Sequence, residues 1–129
     1  MFTFRNSVAV AVFLFGSTFL WMTPLFIGPT ATGALWTAAQ VLGFLAIIGF
    51  TVAAWGIFKA ASWWERVALT SGVVGVAAVI PYAIAAPATA AAGDPLSLVI
   101  NIALHVLGSA VVIAALLVHP TERWIEGRL

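Results

Sequence analysis

Cysteine is absent from this 129-residue chain, which removes disulfides, thiol redox chemistry and thiolate metal sites together. Charge is scarce as well. Only 7% of residues are Asp, Glu, Lys or Arg, against about 25% in an average soluble domain. Five basic and four acidic residues leave a formal net charge of +1. That provides no basic field for nucleic acid and no charge excess to keep a disordered segment solvated. What fills the chain instead is apolar: 64% of residues, against about 45–50% in soluble domains. A soluble fold of this size has no interior large enough to hide that much apolar surface, so the composition points to an integral membrane protein.

A helix crossing about 30 Å of hydrocarbon needs roughly 20 largely apolar residues. Four such runs follow from the charged and turn-forming borders. The first covers about 7–28, and no charged residue stands between Arg5 and Lys59. Gly28-Pro29-Thr30-Ala31-Thr32-Gly33 breaks this long stretch, because Pro and Gly among small polar residues favour a turn. The second run covers about 34–58 and is closed by Lys59. Ser62-Trp63-Trp64-Glu65-Arg66 reads as a polar, aromatic connection, and the third run covers about 67–86. A loop from Pro87 to Pro95 leads to the fourth, about 96–118, which stops at His119-Pro120 because the residue before a proline disfavours helical geometry. Residues 119–129 read as a short interfacial helix with Trp124 and Ile125 toward lipid. The first run is too long for the apolar core of a cleaved signal peptide and is expected to be a retained span.

Continuous apolar runs, rather than short alternating segments, exclude a transmembrane β-barrel. Since only helices satisfy their own backbone within lipid, the expected fold class is all-α: an integral membrane four-helix bundle in a single domain. Arg5, Lys59, Arg66, Arg123 and Arg128 fall on one side of the four spans, and Asp94 falls on the other. The positive-inside rule then puts both termini in the cytoplasm, with the plasma (inner) membrane as the expected location. Trp55, Trp63, Trp64 and Trp124 are expected near the inner interface, and Trp21 and Trp36 toward the outer one.

The two halves read alike in places. Pro24 to Thr32 resembles Pro81 to Thr89, and Gln40-Val41-Leu42-Gly43 resembles His105-Val106-Leu107-Gly108. Two tandem parallel hairpins would be related by a pseudo-twofold axis along the membrane normal. Chance matching in an Ala- and Gly-rich chain produces the same pattern, and the offset between the halves shifts from one match to the other.

An ionisable side chain inside a span is a functional candidate by default. Here it is His105. Ser97, Asn101, His105 and Ser109 recur every four residues and form one polar stripe along the fourth helix. The stripe should face the bundle interior or another subunit. Gln40, Ser17, Thr18, Ser71 and Tyr82 are the polar groups able to receive it, and Gly16, Gly43, Gly72 and Gly75 permit close helix approach nearby. Two roles compete. The bland one is a neutral imidazole that hydrogen-bonds Gln40 or a backbone carbonyl and pins helices together; the sharper one is a small hydrated or ligand-binding pocket that changes protonation near neutral pH.

Other chemistry is less favoured. One intramembrane histidine cannot by itself supply the three or four converging ligands of a metal site. His105 and Ser109 lack an orienting acid, since Asp94 lies eleven residues away, about 16 Å along a helix. A haem held by His105 would need its second axial ligand from a symmetric copy or a partner protein. Size and layout are similar to those of small multidrug transporters, fluoride channels and DoxX-like proteins. The first of these depend on a glutamate in their first helix, which has no acid here, and layout alone carries no function. The expectation is an accessory or homo-oligomeric membrane component without catalytic machinery. The competing readings are a transporter of a small or lipophilic solute along the His105 stripe, and a haem- or quinone-associated redox subunit.

Overall fold

A computed structural model describes residues 3–27, 31–88 and 94–129. Helix α1 (Phe4–Ser17) runs directly into a 3₁₀ segment, Thr18–Met22, and is followed by the single turn α2 (Pro24–Ile27). Then come α3 (Ala34–Phe58), α4 (Trp64–Ala85) with a 3₁₀ turn at Ala86–Ala88, α5 (Pro95–Leu117) and α6 (His119–Glu126). Four of these stretches, Phe4–Met22, Ala34–Phe58, Trp64–Ala88 and Pro95–Leu117, are long and apolar enough to cross a bilayer. The described structure is all-α.

Local chemistry sets the helix ends. Thr3 has extended backbone geometry and its hydroxyl accepts the Asn6 N–H, so α1 begins three residues before the expected start at residue 7. Asp94 does the same for α5: Oδ1 accepts the Ser97 N–H at 2.7 Å, and Pro95 fills the first helical position, where no N–H is needed. Helix α3 closes with the Ala60 N–H on the Ile57 carbonyl and the Ala61 N–H on the Gly56 carbonyl. These are the paired bonds of a Schellman motif, which place Ala60 in the left-handed region at φ 53°. Trp64 and Glu65, expected in a connection, form the first turn of α4.

Helix α3 lies against α1 and α4, α4 lies against α5, and the 3₁₀ segment touches both α3 and α5. Glycines mark the close approaches. A β-carbon on Gly16 would strike Phe50 of α3, one on Gly49 would strike Ser71 of α4, and one on Gly108 would strike the Phe15 ring of α1. The last contact closes the bundle between its first and last long helices.

The sorting of residues is the reverse of a water-soluble domain. The interior is rich in small side chains, including Ala39, Ala46, Ala53, Ala68 and Ala78, around an aromatic centre of Phe19 and Phe50. The outside carries Leu45, Ile48, Val73, Ile80, Leu107 and Val111. Small residues inside and branched apolar residues outside suit helices packed by van der Waals contact in lipid, where burial of large apolar groups gains nothing over the surrounding tails.

The basic residues gather at one end. Trp124 of α6 packs edge-on against Phe4 at the start of α1, with ring centroids 5.9 Å apart, and the Arg128 guanidinium stacks 4.3 Å from the Trp124 ring centre. Lys59 covers Trp55 at 4.9 Å. Trp55 and Trp124 are half exposed, whereas Trp36, expected at the outer interface, is buried against Tyr82 with centroids 5.7 Å apart.

The two stretches that read as a duplication differ locally. Pro24 opens a new helical turn after a 3₁₀ segment, whereas Pro81 is accommodated inside α4. Residues 28–30 and 89–93, within the two expected turns, lie outside the described residues.

Candidate functional site: the buried polar face of α5

The three buried side chains of α5 are all polar: Asn101, His105 and Ser109. They are spaced by four residues and share one face, which α5 turns toward the bundle, flanked by the half-buried Leu98, Ile102 and Val106, while Val99, Leu107 and Val111 are exposed. Ser97 does not join them. It is exposed and belongs to the helix cap, its hydroxyl donating to Asp94 Oδ2 at 3.2 Å. The Asp94 carboxyl is held below the usual carboxylate range, chiefly by the Ser97 N–H and then by the Ser97 hydroxyl.

His105 is fully buried, and its Nδ1 lies 2.6 Å from the carbonyl oxygen of Asn101, one turn earlier. A carbonyl only accepts, so Nδ1 carries the proton and donates it. In the neutral ring Nε2 is then a bare lone pair, and it has no hydrogen-bond partner. Asn101 Nδ2 donates to the Tyr82 hydroxyl of α4 at 2.9 Å, and its Oδ1 is unpartnered. Ser109 Oγ is buried and unpartnered as well.

Phe19 closes the space between helices. It is fully buried, meets the His105 ring edge-to-face with centroids 4.4 Å apart, and stacks on Phe50 at 6.0 Å. Its placement depends on the 3₁₀ segment. Ser17, Thr18 and Thr23 donate their hydroxyls to carbonyls three residues earlier, at 2.7, 2.6 and 2.6 Å, a local pattern that competes with the α-helical ladder. On α4, Gly75 leaves room for both Phe19 and Ser109: a β-carbon there would stand 2.8 Å from Phe19 Cζ and 2.5 Å from Ser109 Oγ.

Gln40, expected as a partner of His105, is half-buried on α3 and does not bond to it. The reason is depth. Gln40 lies six residues into α3 and His105 ten residues into α5, a difference of about 6 Å along the bundle. Ser71 spends its hydroxyl on the Val67 carbonyl of its own helix. Sequence reasoning therefore found the polar face of α5 and named Tyr82 among five groups able to receive it. It missed Phe19, for which the only sequence signal was the Ser17-Thr18 pair beside Gly16.

The prominent surface grooves lie elsewhere. One of about 500 Å³ is lined by Glu65, Arg66, Leu69, Leu116, Leu117 and His119 at the basic end. Another, of about 360 Å³, runs between α3 and α4 beside Leu45, Gly49 and Val74. Neither includes His105, Asn101 or Ser109.

Four long apolar helices, an inverted sorting of side chains and a polar face folded inward define the class: a multi-pass helical membrane protein. Comparisons with known protein families, with curated proteins and with solved structures find no match for this chain.

Proposed function

We propose that this protein is a membrane-embedded accessory or homo-oligomeric component that acts without covalent chemistry. The observation that carries this reading is where the polar groups of α5 are spent. Asn101 and His105 bond to Tyr82 and to a backbone carbonyl within the same chain, and Phe19 fills the space beside them. What the bundle presents to other macromolecules is an apolar exterior, with a basic, aromatic rim at one end. Such a surface meets lipid, a second copy or the helices of another membrane protein. The gathering of Arg5, Lys59, Arg66, Arg123 and Arg128 supports both termini in the cytoplasm and a plasma-membrane location. Native mass spectrometry of protein released in mild detergent tests the reading. A homo-oligomer or a fixed complex with another membrane protein is the expected result, and a lone monomer of fixed stoichiometry with a haem or quinone would overturn it.

A transport role is the second reading, favoured by the unpartnered Nε2, Oδ1 and Oγ atoms on one buried face. The packing of Phe19 on His105 counts against a haem at that ring, because the haem would have to take the place of Phe19. Flux assays on a His105→Gln variant separate transport from packing, since only a solute path along the strip makes flux depend on that ring.

A further inference from the structure

The buried face of α5 is left with an unbalanced set of hydrogen-bonding atoms. His105 Nδ1–H is committed to the Asn101 carbonyl, so Nε2 offers only a lone pair. Asn101 Nδ2 gives one of its two hydrogens to the Tyr82 hydroxyl, and its Oδ1, an acceptor, has no partner. The Ser109 hydroxyl, one turn beyond His105, can turn either way. Asn101, His105 and Ser109 are each at least nine-tenths buried. Around them lies hydrocarbon, where no bulk water is at hand to satisfy them.

We infer that this face holds a small guest that donates an N–H or O–H to the buried lone pair of His105 Nε2. Water and ammonia or ammonium share that chemistry. Anions and acceptor-only solutes do not, because they have no hydrogen to give the Nε2 lone pair. A buried water typically makes about three hydrogen bonds to otherwise unsatisfied groups, and His105 Nε2, Asn101 Oδ1 and Ser109 Oγ are the unsatisfied side-chain atoms of this face. Phe19 is the side chain that confines the guest, since its ring packs on His105 and reaches Gly75 beside Ser109. The inference goes beyond the accessory role proposed above and does not depend on the oligomeric state.

Solid-state NMR on the whole protein in lipid bilayers, with ¹⁵N-labelled histidine, tests it directly. The chain has only two histidines, so the spectrum of a His119→Gln variant assigns His105. In ammonium-free buffer, water as the guest gives magnetisation transfer from water protons to Nε2, and an Nε2 shift typical of a hydrogen-bonded acceptor. If the guest is ammonium, that shift and the contact appear only when ammonium chloride is added. A free lone-pair shift under both conditions, or a proton resident on Nε2 instead of Nδ1, overturns the inference. A Phe19→Leu variant gives a second readout, with water exchange at Nε2 expected to quicken several-fold. Unchanged exchange would remove Phe19 as the confining residue and sink that part of the inference.

Discussion

His105 donates Nδ1–H to the carbonyl of Asn101, four residues earlier on the same helix, at 2.6 Å. The bond turns the ring's other nitrogen inward and away from lipid. It also sets the tautomer: at neutral pH, ¹⁵N NMR should find the His105 proton on Nδ1. Because the bond lies within one helix, replacing His105 with Ala is expected to weaken the bundle mainly through the cavity left beside Phe19. That cost is about 2–4 kcal/mol by analogy with large-to-small core substitutions, and reversible unfolding in bicelles measures it.

Tyr82 and Asn101 provide a polar bond between α4 and α5. Tyr82→Phe should cost about 0.6 kcal/mol, the average for interhelical hydrogen bonds in membranes, and no more than about 1.7 kcal/mol. In a double-mutant cycle with Asn101→Leu, the second substitution should cost less when the first is already present. Strict additivity would mean that the bond contributes nothing.

Two glycines that look equivalent in the sequence should respond in opposite directions. A methyl group at Gly75 would be forced against Ser109 Oγ at 2.5 Å and Phe19 Cζ at 2.8 Å. Gly75→Ala is therefore expected to destabilise by about 1–3 kcal/mol through overpacking. At Gly43 the nearest atoms stand at 3.7 Å, an ordinary contact. Gly43→Ala should be neutral or stabilising by up to about 1 kcal/mol, the helix-propensity difference between the two residues. Thermal unfolding of the pair in one detergent decides both.

Ala60 closes α3 in a left-handed conformation that suits glycine better. Ala60→Gly should stabilise the protein by about 1 kcal/mol, because it removes the steric cost of that conformation while the Ile57 and Gly56 carbonyls stay capped. A lowered melting temperature would show that the turn is not set by this cap.

The Asp94 cap carries a pH dependence. Its carboxyl pKa is depressed in the folded protein by the Ser97 N–H and hydroxyl. The sign follows from linkage: the stabilising contribution is complete above the ordinary carboxylate range and is lost as pH falls through the lower, folded-state value. The protection factors of amides at the start of α5, which divide out the intrinsic pH dependence of exchange, should therefore fall on acidification in the wild type, whereas Asp94→Asn, which can still cap, should keep most of its protection at every pH.

The number of long helices, their apolar character and the polar face of α5 were legible in the amino-acid order alone. Length against bilayer thickness decides the first two, and a four-residue spacing decides the third, since both depend only on the regular rise and turn of a helix. Choices that depend on depth and on neighbouring helices were not legible. Gln40 and His105 stand at different heights, Trp36 packs inside on Tyr82, and Ser97 is drawn to Asp94 at the cap. Phe19 reaches His105 only because α1 tightens into a 3₁₀ segment opposite a glycine of α4. Periodicity fixes which side of a helix a residue occupies, whereas the register and the approach of one helix to another come from side chains packing across the bundle, and only the tertiary structure brings those together.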